Sequence, residues 1–244
     1  MRMTEAVLVI VDISGYTNFI RNRTMSLIHA EGIITTLLES VVSAASHPLQ
    51  VNKFEGDAAL MFAETHGDPG RALASVMGQV SELFSVFDQR QAKLAKDSSS
   101  CPCDACGNGV TKLRLKAFVH VGHIAIKQVL HFEELAGEPV IVIHQLMKNS
   151  VPSDAYLLLT EPARELAGEL PVVWESASEK LPGDLITAIH WCPSSALSSL
   201  PKTVADSSTE QDSAKPEAQR IAHFRNLSRT PLSRMISWAR RLFR

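Results

Sequence analysis

Residues 6–17 read AVLVIVDISGYT, an uninterrupted apolar run that ends at Asp12 and is followed by Gly15. Most of the run is aliphatic and rich in β-branched residues, which favour strands. The absence of polar alternation is typical of a strand buried on both faces. A carboxylate at the end of such a strand, beside a glycine turn that leads into a helix, suits Mg²⁺ and phosphate. The stretch therefore predicts a buried strand with a candidate ligand site at its end.

A second carboxylate, Asp57, lies at the tip of a predicted hairpin. Two short apolar segments, 49–54 and 58–62, flank the sequence Glu55-Gly56-Asp57, and a glycine between two such runs favours a tight turn. Either aspartate alone would be typical of a turn or capping residue. Only their combination indicates a shared site.

The remaining pattern predicts alternating helices and strands. Helices are expected at 24–46, 69–96, 138–149 and 161–168, and strands at 155–160, 172–175 and 185–191. A second hairpin is expected from 113–121 and 123–129, turning at Gly122. This order predicts an α+β fold of ferredoxin-like kind, in which helices pack on a mainly antiparallel sheet.

Four segments together resemble a known family, the class III adenylate and guanylate cyclases. Residues 9–17 resemble the family's aromatic-x-Asp-Ile-x-Gly-Phe-Thr signature, and residues 53–62 resemble its Lys-x-x-Gly-Asp motif before an apolar strand. Residues 113–122 resemble the start of its second hairpin, and residues 137–140 the start of its Gly-x-x-Val-Asn-x-Ala-x-Arg helix. The segments follow the family's order across residues 6–192. The chain also resembles a bacterial branch that carries a Cys-x-Cys-x-x-Cys insertion.

The resemblance implies a nucleotide cyclase fold and a site with two Mg²⁺ or Mn²⁺ ions. Asp12 and Asp57 would bind both ions, with the Ile13 carbonyl as a further ligand. In such enzymes one metal activates the ribose 3′-hydroxyl and the other steadies the triphosphate and the leaving pyrophosphate. The backbone of four residues would bind the phosphates: Ser14, Gly15, Tyr16 and Thr17.

The resemblance also implies a base-reading pair and a homodimer. Lys53 stands at the position of the family's adenine-reading lysine, which favours ATP over GTP. Glu134, three residues before Gly137, stands where adenylate cyclases often carry an aspartate that accepts from the adenine amino group. In the family these sites form between two head-to-tail chains, so that metal ligands come from one chain and base-reading residues from the other.

Two positions depart from the family pattern. Ile141 stands in place of the asparagine that orients the ribose, and Gln145 in place of the arginine that stabilises the transferring phosphoryl group. Losing one such donor typically reduces the rate about 10²–10³-fold. Lys148, one predicted helical turn later, is either a substitute or a solvated surface lysine. Two hypotheses follow: a divergent metal-dependent adenylate cyclase, or a degenerate cyclase-fold module that binds nucleotide or dimerises for signalling.

A cysteine-containing loop at residues 97–109 interrupts the predicted domain. Cys101, Cys103 and Cys106 would suit a structural Zn²⁺ ion if a fourth ligand came from elsewhere. The alternative is a redox or unliganded loop. Three residues are candidates for the fourth ligand: Cys192, His120 and His123. Two further histidines are interpreted as packing or surface residues: His144 and His190.

The C-terminal part differs in composition from the predicted domain at 1–192. Residues 193–216 are rich in Ser, Ala and Pro and predict a flexible linker, and residues 217–244 predict a basic amphipathic helix. An apolar stripe with Trp and Phe opposite arginines suits an anionic membrane surface, or alternatively packing on the domain or on a partner protein. The arginines form no base-reading motif, so nucleic acid is not expected.

Bulk composition limits the protein class. The chain is 45% hydrophobic and 20% charged, with a formal net charge of −2, which is typical of a globular protein. No uninterrupted apolar stretch approaches the roughly 18 residues that a membrane span needs. We therefore expect a cytoplasmic protein, whose tail either binds the inner membrane face or packs on the domain or on a partner protein.

Overall fold

The computed structural model describes residues 1–21, 27–97 and 109–200. Its helices are α1 (Tyr16–Arg21), α2 (Leu27–Ser43), α3 (Pro69–Asp97), α4 (Glu138–Gln145) and α5 (Glu161–Ala167). Its strands are β1 (Arg2–Ser14), β2 (Gln50–Glu55), β3 (Ala58–Glu64), β4 (Arg114–Val129), β5 (Phe132–Ala136), β6 (Tyr156–Thr160), β7 (Glu175–Leu181) and β8 (Leu185–Pro193). The cysteines at 101–106 and the predicted tail helix lie outside the described residues, so these hypotheses stay predictions.

The strands form one eight-stranded sheet in the order β2-β3-β1-β4-β6-β8-β7, with β5 paired to β4. All pairs are antiparallel except β4 with β6. The α+β class and the mainly antiparallel sheet are therefore confirmed. Within the described ranges, no helix is long and apolar enough to cross a membrane.

Strand β1 is apolar on both sides because both faces of the sheet are covered. Its odd-numbered side chains from Val7 to Ile13 join the core that contains α2 and α3. Its even-numbered side chains from Ala6 to Ile10 join a second core with α4. Since side chains alternate along a strand, Asp12 lies on the α4 side, where the fully buried run ends.

The predicted hairpin turn at Gly122 is wrong. β4 continues through this position as a single strand of 16 residues, and the chain turns only at Leu130 and His131, before β5. Gly122 lies opposite Ala6 of β1, and a Cβ built on it would lie 2.6 Å from Cγ of Pro139 at the start of α4. A glycine inside a strand can mark such a close approach as well as a turn.

The predicted helix 138–149 ends earlier than expected, at Gln145. The side-chain amide of Asn149 donates to the Leu146 carbonyl and to the Tyr156 hydroxyl, both at 2.7 Å. These bonds satisfy groups at the helix end through a side chain instead of a further helical turn. Lys148 consequently lies in the turn after α4 and does not share a helical face with Gln145.

Two predictions near the end of the domain need correction. The expected strand at 172–175 is wrong, because the edge strand β7 begins only at Glu175. The segment interpreted as linker from residue 193 begins with a 3-10 helix, Ser194–Ser199, and both Leu197 and Leu200 are buried against the α2–α3 core. Because the segment is rich in serine, its sequence did not indicate that these two leucines are buried.

We predict that Gly122→Ala lowers the free energy of unfolding by about 1–3 kcal/mol, the usual cost of overpacking. The added methyl would overlap the rigid ring of Pro139. Urea unfolding measures the effect.

Gly32→Ala is the matched control, because Gly32 lies in α2 with no atom near its Cβ position. There alanine should stabilise by about 0.5–1 kcal/mol through its helix propensity. Equal effects at both glycines would contradict the close packing of α4 on β4.

Candidate functional site

The register of the sheet brings Asp12 and Asp57 together. Asp12 of β1 pairs with Ala58, the first residue of β3, and Asp57 immediately precedes Ala58 in the β2–β3 turn. The Ile13 N–H donates to the Asp57 carbonyl across 3.1 Å and fixes this turn against β1. Gly56 has a φ of +68°, which the tight turn requires and which glycine adopts without strain. Two carboxylates 45 positions apart in sequence (57 − 12) thus reach one edge of the molecule.

Electrostatics at this edge favour a bound cation. Burial, followed by the negative charge of Asp57, raises the pKa of Asp12 to about 6, even though the charge of Lys116 acts to lower it. Burial is also the main cause of the raised pKa of Asp57. Both shifts mean that the described residues around the two carboxylates do not fully compensate their negative charge.

The oxygen donors at this edge fit Mg²⁺ or Mn²⁺. Among the described residues no cluster of three or more His, Cys, Asp or Glu side chains is arranged as metal ligands. Mg²⁺ commonly uses only one or two carboxylates and completes its shell with water and substrate phosphates. Asp12 and Asp57 meet that requirement.

Lys116 is a site residue that the sequence analysis missed. It lies directly opposite Asp12 in the β1–β4 ladder, half-buried, with Nζ 5.5 Å from the centre of the Tyr156 ring. The signal in the sequence was a single charge within the otherwise apolar residues 115–119. Its position beside Asp12 became visible only with the pairing of β1 and β4.

The segment predicted to bind phosphates connects β1 to α1. Gly15 has a φ of +91° and its carbonyl accepts from the Phe19 N–H at 2.9 Å, so the chain turns directly into the helix. The Tyr16 hydroxyl donates to Glu31 of α2 at 3.0 Å. Burial, followed by this hydrogen bond, raises the pKa of Tyr16. Thr17 is exposed. The segment is therefore attached to α2, and its role with phosphate stays a prediction.

The two residues predicted to read the base do meet. Lys53 Nζ donates to Glu134 Oε2 across 3.2 Å, joining β2 to β5. The neighbouring Asn52 amide donates to the Glu133 carbonyl at 3.0 Å and supports the same junction. Both charged side chains remain about one-third exposed, so a ligand could reach them. Their function in base recognition stays a prediction.

The positions that depart from the family pattern lie on or just after α4. The Ile141 side chain is 57% exposed and offers no hydrogen-bonding group. Gln145 is half-buried at the last position of α4, and Lys148 is exposed in the following turn. The helix itself carries no lysine or arginine.

Two of the three candidates for the fourth zinc ligand are buried in the core. Cys192 is buried, and burial raises the pKa of its thiol to about 12. His120 is buried beside Thr160, with Nδ1 2.7 Å from the hydroxyl, and burial lowers its pKa to about 4. His123 is exposed. Since residues 98–108 lie outside the described ranges, a zinc site remains a prediction.

A wide groove of about 620 Å³ lies elsewhere, between α5 and the β7–β8 hairpin. His190 crosses it, with Nε2 2.7 Å from Glu161 and Nδ1 2.9 Å from the Ser176 hydroxyl. None of the predicted site residues lines this groove. Its polar contacts connect the edge hairpin to α5.

Comparison with solved structures identifies the fold. The adenylyl cyclase CyaB from P. aeruginosa superposes with a TM-score of 0.61 at 12% identity, covering 78% of this chain and 94% of that chain. The guanylyl cyclase Cya2 gives 0.62 at 11% identity, covering 78% and 91%. A class III adenylyl cyclase-like ATP-binding protein from Pseudomonas aeruginosa gives 0.54 at 14% identity, covering 68% and 35%. The chain therefore has a class III nucleotide cyclase-like fold.

Sequence comparison gives the family. The chain belongs to the family described as "Protein of unknown function (DUF2652)", whose model matches residues 34–156. A relative in Mycobacterium tuberculosis, "Uncharacterized protein Rv2561/Rv2562", is 32% identical over 180 residues, or 70% of this chain and 78% of the relative. The matched range contains Asp57, Lys116 and Gln145, whereas Asp12 precedes it.

We predict that Asp12→Asn stabilises the metal-free protein at neutral pH. The pKa of Asp12 rises from 3.8 to about 6 on folding. The folded state therefore loses stability, relative to the unfolded state, as the pH increases through that range. Asparagine removes a penalty of at most about 3 kcal/mol above pH 6, and the two proteins should converge near pH 4. Thermal unfolding across this range measures the difference.

The control for this prediction is Asp184→Asn. Asp184 lies exposed in the β7–β8 turn with a φ of +59°, which asparagine also tolerates. Its surface ion pair with Lys180 should contribute little. Mn²⁺ should stabilise the unsubstituted protein and not Asp12→Asn. An Asp12→Asn protein that is no more stable than its parent at neutral pH would contradict the electrostatic assignment.

Proposed function

We propose that the protein binds ATP with Mg²⁺ or Mn²⁺ and converts it slowly to cyclic AMP and pyrophosphate, as a divergent adenylate cyclase. The observation that carries the proposal is the convergence of Asp12, Asp57 and Lys116 at one edge of a class III cyclase-like fold. Two under-compensated carboxylates attract divalent cations, and a lysine beside them attracts phosphate oxygens.

Each part of this edge has a proposed role. Asp12, Asp57 and the Ile13 carbonyl hold the metal ions, and the backbone of residues 14–17 receives the terminal phosphates. Lys116 supplies positive charge beside Asp12. When bound, the ions lower the pKa of the ribose 3′-hydroxyl and neutralise the triphosphate. The chain's contribution is to place these groups on the rigid end of β1, where their positions change little on binding.

The Lys53–Glu134 pair supports ATP as the substrate. Adenine presents an acceptor at N1 and a donor at its amino group, and the pair offers the complementary ammonium donor and carboxylate acceptor. We further propose that this pair serves the metal site of a second copy in a homodimer. Two apolar side chains are exposed nearby, Phe54 (41%) beside Lys53 on β2 and Ile141 (57%) on α4, and a second copy would cover them.

A second candidate function is nucleotide binding without turnover. The absence of an arginine or lysine from α4, and the apolar side chain at Ile141, remove charge and hydrogen bonding from the part of the site that would contact the reacting phosphoryl group. The similarity to an adenylyl cyclase-like ATP-binding protein supports this candidate as well.

We predict cyclic AMP formation from ATP and Mn²⁺ by the purified protein, measured by chromatography of the products. Asp12→Ala and Asp57→Ala should each reduce the rate at least about 10²-fold, because each removes a charged metal ligand. Lys93→Gln, at an exposed position on α3, is the control and should retain the rate. A rate unchanged by the aspartate substitutions would contradict the proposed site.

Gln145→Arg separates the two candidates. If the half-buried amide at the end of α4 contacts the phosphoryl group, a guanidinium there should raise the rate about 10-fold or more. ATP binding without product, in both the parent and Gln145→Arg, would favour the binding module.

A further inference from the structure

Lys53 contacts two carboxylates rather than one. Its Nζ lies 3.2 Å from Glu134 Oε2 and 3.8 Å from Glu55 Oε1. Lys53 and Glu55 are two positions apart on β2, so their side chains leave the strand on the same face. Glu55 is therefore a competitor, within the same strand, for the ammonium group that would read the base.

The imidazole ring of His144, on α4, contacts the carboxylate of Glu55 on β2. Its Nε2 lies 2.9 Å and 3.1 Å from the two carboxylate oxygens of Glu55, a shorter contact than Glu55 makes with Lys53. The Nδ1 of the same ring lies 2.6 Å from the Val140 carbonyl, one turn earlier in α4. The ring is therefore held at both nitrogens between its own helix and β2.

Both nitrogens of the His144 ring face hydrogen-bond acceptors. A carbonyl oxygen and a carboxylate are both acceptors, and a neutral imidazole has only one N–H to donate. Both acceptors are satisfied together only by a ring that carries an N–H on each nitrogen. In that form the histidine would neutralise Glu55 through a charge-assisted hydrogen bond.

We propose that His144 is a positioning residue for nucleotide recognition: by neutralising Glu55, it leaves Lys53 paired with Glu134 and available to the adenine ring. Without the imidazolium, the free Glu55 carboxylate draws Lys53 away from Glu134, and the complementary donor and acceptor no longer stand side by side. From the sequence alone His144 is interpreted as a packing or surface residue, because its partner on β2 is not visible there. The inference rests on the proposed role of Lys53 and Glu134 in binding ATP.

The test is a double-mutant cycle on ATP affinity, measured by equilibrium dialysis with ATP and Mn²⁺ on the full chain. His144→Gln keeps a hydrogen-bond donor and removes the charge, and should weaken ATP binding about fivefold, as expected for a partly exposed ion pair. GTP binding should change less than twofold, so the preference for ATP should fall. Adding Glu55→Gln to His144→Gln removes the competing carboxylate and should restore ATP affinity to within about twofold of the parent. Lys93→Gln, at an exposed position on α3, is the control and should leave ATP affinity unchanged.

The cycle distinguishes positioning from a structural role. If His144 only holds α4 in place, Glu55→Gln will not rescue the histidine variant, and equal or greater loss in the double variant would overturn the inference. Circular dichroism of each variant verifies that it is folded.

Nitrogen-15 spectra of His144 at neutral pH give a readout independent of nucleotide: two ring N–H groups support the inference, and a neutral ring overturns it. Failure of the parent to bind ATP would instead overturn the proposed function, and the inference with it.

Discussion

The burial of β1 between β3 and β4 is the constraint on which the rest of the structure depends. Side chains from Ala6 to Val11 are fully buried, odd positions against α2 and α3 and even positions against the second core. A slip of one residue would exchange the two faces and move Asp12 to the α2–α3 side, so the register is strongly specified. The same register places Asp57 and Lys116 beside Asp12. One buried strand thereby positions all three charged groups of the proposed site.

The sequence predicted the parts of the molecule that local patterns determine. The apolar run of β1, the glycine turn before Asp57 and the long amphipathic α3 each follow from neighbouring residues, and together they predicted the α+β class. Gly122 was misinterpreted because a turn and a close helix contact require the same residue, and only the position of Pro139 distinguishes them. The early end of α4 depends on a contact from Asn149 to Tyr156, which no periodicity reveals.

The residues of the candidate site also divide into those that the sequence predicted and those that only tertiary contacts reveal. Lys53 and Glu134 were predicted through a family resemblance, and the structure brings their side chains into contact. Lys116 and the Glu55–His144 pair were missed because each becomes significant only next to a residue from another strand or helix. The site therefore combines charges whose importance depends on tertiary pairing, and sequence spacing alone could not identify them.

Charge is distributed unevenly between the two proposed halves of the site. The Asp12–Asp57 edge has an excess of negative charge that destabilises the metal-free protein, as the raised pKa values of both carboxylates indicate. At the other half, each carboxylate near Lys53 has a nitrogen partner: Glu134 contacts the lysine and Glu55 contacts the ring of His144. An edge with an excess of negative charge suits a cation, whereas a balanced pair suits a neutral base.

Anomalous diffraction at the manganese edge, on crystals grown with Mn²⁺ and a non-cyclisable ATP analogue, tests the assignment of the β1 edge most directly. We expect manganese peaks in contact with the carboxylates of Asp12 and Asp57, with the triphosphate beside them. Manganese bound elsewhere, or the triphosphate bound in a position without contact to either aspartate, would contradict the account.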